Sequence, residues 1–117
     1  MVWTVEVTAT ARADAALIHD HTFEQRQRQG HDPQESLAAA ERRLDGLLDG
    51  IERIARTPYI GTRRPIGPHD FRHVTFDRAI YWFRLDEARQ VVLIEGIFHG
   101  GQDHAAAMFS RLGAEGD

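Results

Sequence analysis

Near its C-terminal end the chain reads EGIFHGGQDH, from Glu95 to His104, and this short stretch holds two histidines, two carboxylates and a double glycine. Imidazole and carboxylate groups are the usual ligands of zinc and the usual proton carriers near neutral pH. As a metal centre the stretch has the ingredients without the spacing. Glu95 precedes His99 by two full strand steps and shares a face with it on an extended strand, and His69 and His73 lie further upstream. Yet no HExxH occurs, no His pair stands at i and i+4 on a predicted helix, and the chain has no Cys, so no metal and no cofactor are expected. A double glycine before a helix can also cradle phosphate on its backbone N–H groups, but Asp103 would fill that place with its own carboxylate and there is no GxGxxG. The plainer reading is that His99 ends a strand, the glycines turn the chain with positive φ, and Asp103 caps a closing helix.

A second chemistry open to these residue types is metal-free RNA cleavage. It needs a base near the 2'-hydroxyl, an acid for the leaving oxygen and cations on the phosphorane. The candidate cations are Arg63, Arg64, Arg72 and Arg84, and the candidate proton carriers are His73, His99 and His104. Strand alternation puts Arg72 and His73 on opposite faces and groups Arg84 with Trp82 and Ile80. An arginine among apolar neighbours also has a purely structural use, lying along the apolar surface or pairing with a carboxylate.

The elements that must position these groups can be read in order. WTVEV alternates with Trp3, Val5 and Val7 on one side, which is the period of a half-buried strand. From Thr8 or Thr10 as N-cap, an Ala- and Gln-rich helix with a ragged apolar face runs to Gly30. A second helix is better marked: Asp32 as N-cap, Pro33 at the first helical position, and Glu35 where a capping-box carboxylate reaches back. Leu37, Ala40, Leu44, Leu47, Leu48, Ile51, Ile54 and Ala55 then form one apolar stripe that ends at Thr57 and Pro58. PYIGTRRPIGP, from Pro58 to Pro68, has three prolines and two glycines and reads as a loop without regular structure. FRHVTF, AIYWFRL and VVLIEGIF are three strands joined by short turns at Asp77-Arg78 and at DEAR, hence antiparallel neighbours. DHAAAMFSRL is a short closing helix. The order β-α-α-β-β-β(-α) is an α+β fold, a two-helix hairpin packed on a mostly antiparallel four-stranded sheet, in a single domain spanning residues 1–117.

With 117 residues, 42% hydrophobic and 27% charged, the composition is that of a soluble globular domain; no apolar run suits a bilayer and no leader pattern opens the chain, so a cytoplasmic protein without membrane contact is expected. No Cys and no Lys are present, which removes thiolate and lysine nucleophiles. The net charge of -4 is unevenly spread: residues 1–52 carry five Arg against ten acids, residues 53–84 seven against two, and residues 85–117 two against six. The basic middle suits an acidic or phosphate-bearing partner through guanidinium forks, or simply a solvated face that answers the acidic helices.

The strings IARTPYIGTRRP, YWFRLDE and IFHGGQD, in this order and behind a short strand and an αα hairpin, resemble the RelE/ParE toxin superfamily of bacterial type II toxin-antitoxin systems, in particular its ParE-like plasmid-stabilisation branch. The resemblance covers nearly the whole chain. It implies a growth-inhibiting toxin neutralised by a cognate antitoxin, with DNA gyrase as the target in the ParE-like branch. In the RelE-like branch it implies instead a ribosome-dependent, metal-independent mRNA endonuclease, and Arg72, Arg84 and His99 then fall where such members keep catalytic residues. The absence of Lys, of a Tyr in the closing helix and of a net positive charge favours the non-nuclease branch. A third outcome is an inactive member that serves only as a binding partner. Arg63, Arg64, Leu37, Leu44 and Trp82 are the residues assigned to target or antitoxin contact.

Overall fold

The computed structural model describes residues 2–100 and 103–115. In chain order the elements are β1 (Thr4–Val7), α1 (Ala9–Arg28), α2 (Pro33–Arg56), β2 (Thr62–Ile66), β3 (His69–Phe76), β4 (Ala79–Asp86), β5 (Val91–His99) and α3 (His104–Glu115). The fold is the expected α+β arrangement, with one more strand than the sequence predicts. The sheet order is β1-β5-β4-β3-β2, antiparallel throughout except for the parallel pair β1-β5. The hairpin α1-α2 covers one face and α3 the other, so the sheet separates two cores.

The additional strand lies in the segment expected to be an irregular loop. Thr62–Ile66 pairs with His69–His73 across a turn at Gly67, whose φ is 58°. Prolines within a run normally argue against a strand, but β2 is the outer edge, where Pro65 withholds a donor that no neighbour would use.

The helix starts follow from their caps. The Thr8 hydroxyl accepts from the Ala11 N–H at 3.1 Å, and the Asp32 carboxylate accepts from the Glu35 N–H at 2.8 Å. The Glu35 side chain pairs with His31 Nδ1 at 3.2 Å instead of reaching back to the cap. Gly30, at φ 90°, ends α1 as expected. Asp103 caps α3, accepting from the Ala106 N–H at 3.1 Å. Of the two glycines before it, Gly100 has an ordinary negative φ, and Gly101 lies outside the described residues.

The core under the hairpin joins Ile18, Leu47, Ile51 and Ile54 to Tyr81, Phe83, Val92, Ile94 and Ile97. The stripe of α2 is rotated from its predicted setting. Ser36, Ala39, Ala40, Leu47, Gly50, Ile51, Ile54 and Ala55 are buried, whereas Leu37 and Leu48 are 44% and 52% exposed. The rotation follows from a close approach at Gly50, where a β-carbon would collide with the Tyr81 hydroxyl as it donates to the Leu47 carbonyl at 3.0 Å. Burial pushes the Tyr81 phenol up to about 12.

On the other side of α1, the buried Asp14 carboxylate accepts from the Ile97 N–H at 2.9 Å and takes a bidentate pair from Arg111 of α3 at 2.7 and 2.8 Å. One side chain thus ties α1, β5 and α3 together.

Two stability contrasts are expected in urea melts. Gly50→Ala loses about 1–3 kcal/mol through overpacking against Tyr81, while Gly46→Ala, with nothing within 4 Å of the added methyl, gains up to about 1 kcal/mol of helix propensity. Asp14→Ala costs about 3–5 kcal/mol, the usual range for removing one partner of a buried ion pair, and Asp14→Asn costs less because an acceptor for the Ile97 N–H remains.

Candidate functional site

Strand register decides which candidate residues meet. Phe71, Ile80, Trp82, Phe98 and Met108 pack together on the α3 face. Arg84 lies on this face as expected, its guanidinium 5.6 Å over the Phe71 ring. Opposite the Trp82-Phe83 step, β5 carries a bulge between Ile94 and Gly96, which leaves Glu95 without a pairing partner. A bulge inserts one residue and resets the alternation beyond it. Glu95, two residues after the Leu93 that lies opposite Arg84, keeps to the α3 face and grips Arg84 Nε and Nη2 at 3.0 and 2.7 Å, and the reset falls on the residues beyond it. His99 goes to the hairpin face, where its ring stacks on His21 of α1 at 5.3 Å with 10° between planes. The sequence reading placed Glu95 and His99 on one face; the bulge overturns that placement.

Arg72 also faces the hairpin side. It donates to the Tyr59 carbonyl at 2.9 Å and lies 5.6 Å over the Tyr59 ring, which itself meets Trp3 edge to face. Arg72 is opposite Phe83 and His99 opposite Ala79, so the two are four residues apart along the strands, about 13 Å. The three residues proposed for catalysis thus occupy three separate places: Arg84 under α3, Arg72 at the β1 end and His99 beside α1.

The proton carriers that do gather are others. On the α3 face His73 lies 4.8 Å from the Trp82 ring and 5.2 Å from His104, and the Trp82 indole N–H donates to His104 Nδ1 at 3.0 Å. An indole N–H can only donate, so His104 Nδ1 accepts, and the neutral ring carries its proton on Nε2. Burial lowers the His73 pKa, and the neighbouring His104 and Arg64 add to the effect. His69 accepts from Arg84 at 3.2 Å in the same manner. His73 and His104 thus meet around Trp82 between the sheet and α3, while His69 joins Arg84 at an exposed position. His69 entered the sequence reading only as a weak metal candidate; its signal was its place two residues before Phe71 on a strand, visible once β3 is known to begin at His69.

The residues assigned to partner contact divide similarly. Arg63 and Arg64 are adjacent on β2 and so face opposite ways, Arg63 pairing with Asp70 at 2.9 Å and Arg64 lying 5.5 Å over Phe109 of α3. Trp82 is fully buried, so its contact surface is occupied by α3 and the sheet. Leu37 is exposed on α2. Leu44 lines an apolar groove of about 320 Å³ with Ala15, Ala16, Leu48 and Ile51 between the two helices. Among the described residues no group of three or more His, Asp or Glu side chains gathers as a metal ion would require, and no helix is long and apolar enough to cross a membrane.

A histidine whose pKa is lowered by folding binds its proton less readily in the folded state than in the unfolded one. The contribution of His73 is therefore complete above the ordinary value of 6.5 and is lost as pH falls through its depressed folded value. Unfolding free energy measured by urea melts from pH 7.5 down to 5 should decline, and His73→Asn should make the decline shallower; an unchanged slope refutes the assignment.

No family model and no curated protein matches the sequence. The structure, however, matches solved chains over most of its length. A chain from the toxin-antitoxin complex RelBE2 of Mycobacterium tuberculosis is 18% identical with a TM-score of 0.51, covering 85% of this chain and 99% of that one. A chain from the chromosomal ParDE TA system of P. aeruginosa is also 18% identical, with a TM-score of 0.60 and coverage of 85% and 97%. With the hairpin on one face, α3 on the other and β1 parallel to β5, the chain shares the fold of these two chains from toxin-antitoxin systems.

Proposed function

We propose that this protein is the toxin of a type II toxin-antitoxin system, of the ParE-like kind, which inhibits growth by binding DNA gyrase and is neutralised by a cognate antitoxin. The fold likeness to chains of the RelBE2 and ParDE systems supports the toxin reading. The observation that favours a binding toxin over a ribonuclease is the separation of Arg84, on the α3 face, from Arg72 and His99, which lie apart from each other on the hairpin face, together with the Glu95 carboxylate that already pairs with Arg84. A phosphorane needs base, acid and cation within hydrogen-bond reach of one phosphate, and these three are not so arranged. The apolar groove between α1 and α2, which contains Leu44, suits the apolar stripe of an amphipathic antitoxin helix.

One observation favours the ribosome-dependent nuclease as second reading. His73, His104, Arg64 and Arg84 share the α3 face, and the depressed pKa of His73 keeps a neutral base there at pH 7. Controlled expression with and without the neighbouring open reading frame separates the two. The expected result is growth arrest relieved by that partner, unaltered mRNA 5' ends, and loss of supercoiling by gyrase incubated with the purified protein. Codon-phased cleavage abolished by His73→Ala or Arg84→Ala would establish the nuclease instead, and harmless expression without a partner would sink both.

A further inference from the structure

The fold brings together one group of arginines that neither the ion-pair network nor the toxin reading uses. Arg26 of α1, Arg43 of α2 and Arg78 of the β3-β4 turn line one open basin of about 770 Å³, together with His21, His99 and Gly100. They come from distant parts of the chain and are assembled only by the fold. No carboxylate lines this basin among the described residues, and neither Arg26 nor Arg78 has an ion-pair partner among them. Arg43 donates to the Asp77 carbonyl at 2.7 Å, which uses one of its five N–H donors and sets the guanidinium at the rim.

Helix-end electrostatics accounts for Arg26, since a cation in the last turn of α1 meets the negative end of the dipole. It does not account for Arg78. Asp77 and Arg78 have φ of 47° and 66°, the left-handed pair of a two-residue hairpin turn, where Asn-Gly is the economical choice. An arginine held in this conformation is strained, and strain of this kind collects where a side chain has a task. Its backbone is fixed in turn, because the Gly100 N–H donates to the Arg78 carbonyl at 2.7 Å. The stacked His21-His99 pair forms the wall between α1 and β5 and adds flat ring surface.

We infer that the basin between α1, α2 and the β3-β4 turn is a phosphate-binding site. Three guanidinium groups match the charge and the paired acceptor geometry of a phosphate, and the space exceeds one phosphate, leaving room for what it is attached to. Both a free polyphosphate and the backbone of a single nucleic-acid strand offer this chemistry. The site stands apart from the α3 face and from the apolar groove, so it holds or fails independently of the toxin reading.

The test uses the full chain, a fluorescein-labelled short single-stranded DNA read by anisotropy, and inorganic pyrophosphate as competitor. Arg26→Gln/Arg78→Gln should weaken binding about tenfold and lower the slope of log K against log salt by roughly 1 to 2, as expected for one or two phosphate contacts. Arg42→Gln/Arg56→Gln removes the same charge from exposed positions elsewhere and should change affinity less than about twofold. Displacement by pyrophosphate in proportion to its charge marks a site for free phosphates, and its failure to displace marks a strand backbone; either supports the site. Equal losses in the two double variants, or no binding of either probe to the unaltered chain, overturns it.

Discussion

The carboxylate of Asp14 is the contact on which the arrangement of the other elements depends. β1 pairs only with Val91–Ile94, so the far half of β5 has an open edge. An unpaired N–H in a buried position costs about as much as a lost hydrogen bond, and α1 answers it by presenting Asp14 to the Ile97 N–H. The charge so buried would be costly alone; Arg111 compensates it from the opposite face of the sheet, lying also 4.6 Å over the Phe98 ring. Removing this contact would loosen the edge of β5 and the docking of α3 together. Gly96 makes the passage possible, because a side chain there would crowd Phe98, Met108 and Arg111.

The sheet then acts as a partition. On the α3 side aromatic rings, imidazoles and Arg84 are packed closely and largely satisfied by one another. On the hairpin side the helices bury an apolar core, with His99 and Arg72 at its two ends. Which residue belongs to which side is set in part by one inserted residue at Glu95. Leu93 lies opposite Arg84, so Glu95 shares the Arg84 face by plain alternation; what the bulge moves is His99, which would otherwise share that face.

Because one fold hosts unrelated functions, likeness to toxin-antitoxin chains at 18% identity speaks for architecture, and function must be argued from the site. That is why the distribution of Arg72, Arg84 and His99 weighs more than their presence. Arginines and histidines suited to phosphoryl chemistry are common in a chain with fourteen of the one and seven of the other; their convergence on one point is what catalysis would demand.

Much of the architecture was legible without coordinates, since caps, periodicity and turn residues are local. Thr8, Asp32 and Asp103 start helices because their side chains accept N–H groups three residues on, and AIYWFRL and VVLIEGIF are strands because their residues suit a pleated buried surface. The edge strand Thr62–Ile66 was not legible, because its prolines and glycines obey edge rules that apply only once a neighbour is known on one side alone. The rotation of the α2 stripe was hidden for the same reason: Gly50 is buried by Tyr81, thirty-one positions away. The candidate site depended still more on tertiary structure. By itself the sequence determined which elements form and which chemical groups are available. Only the folded chain decided that Glu95 and His99 part company, that His73 meets His104 across Trp82, and that Arg26, Arg43 and Arg78 share one basin, because face and proximity depend on strand register, a bulge and helix packing between residues far apart in the chain.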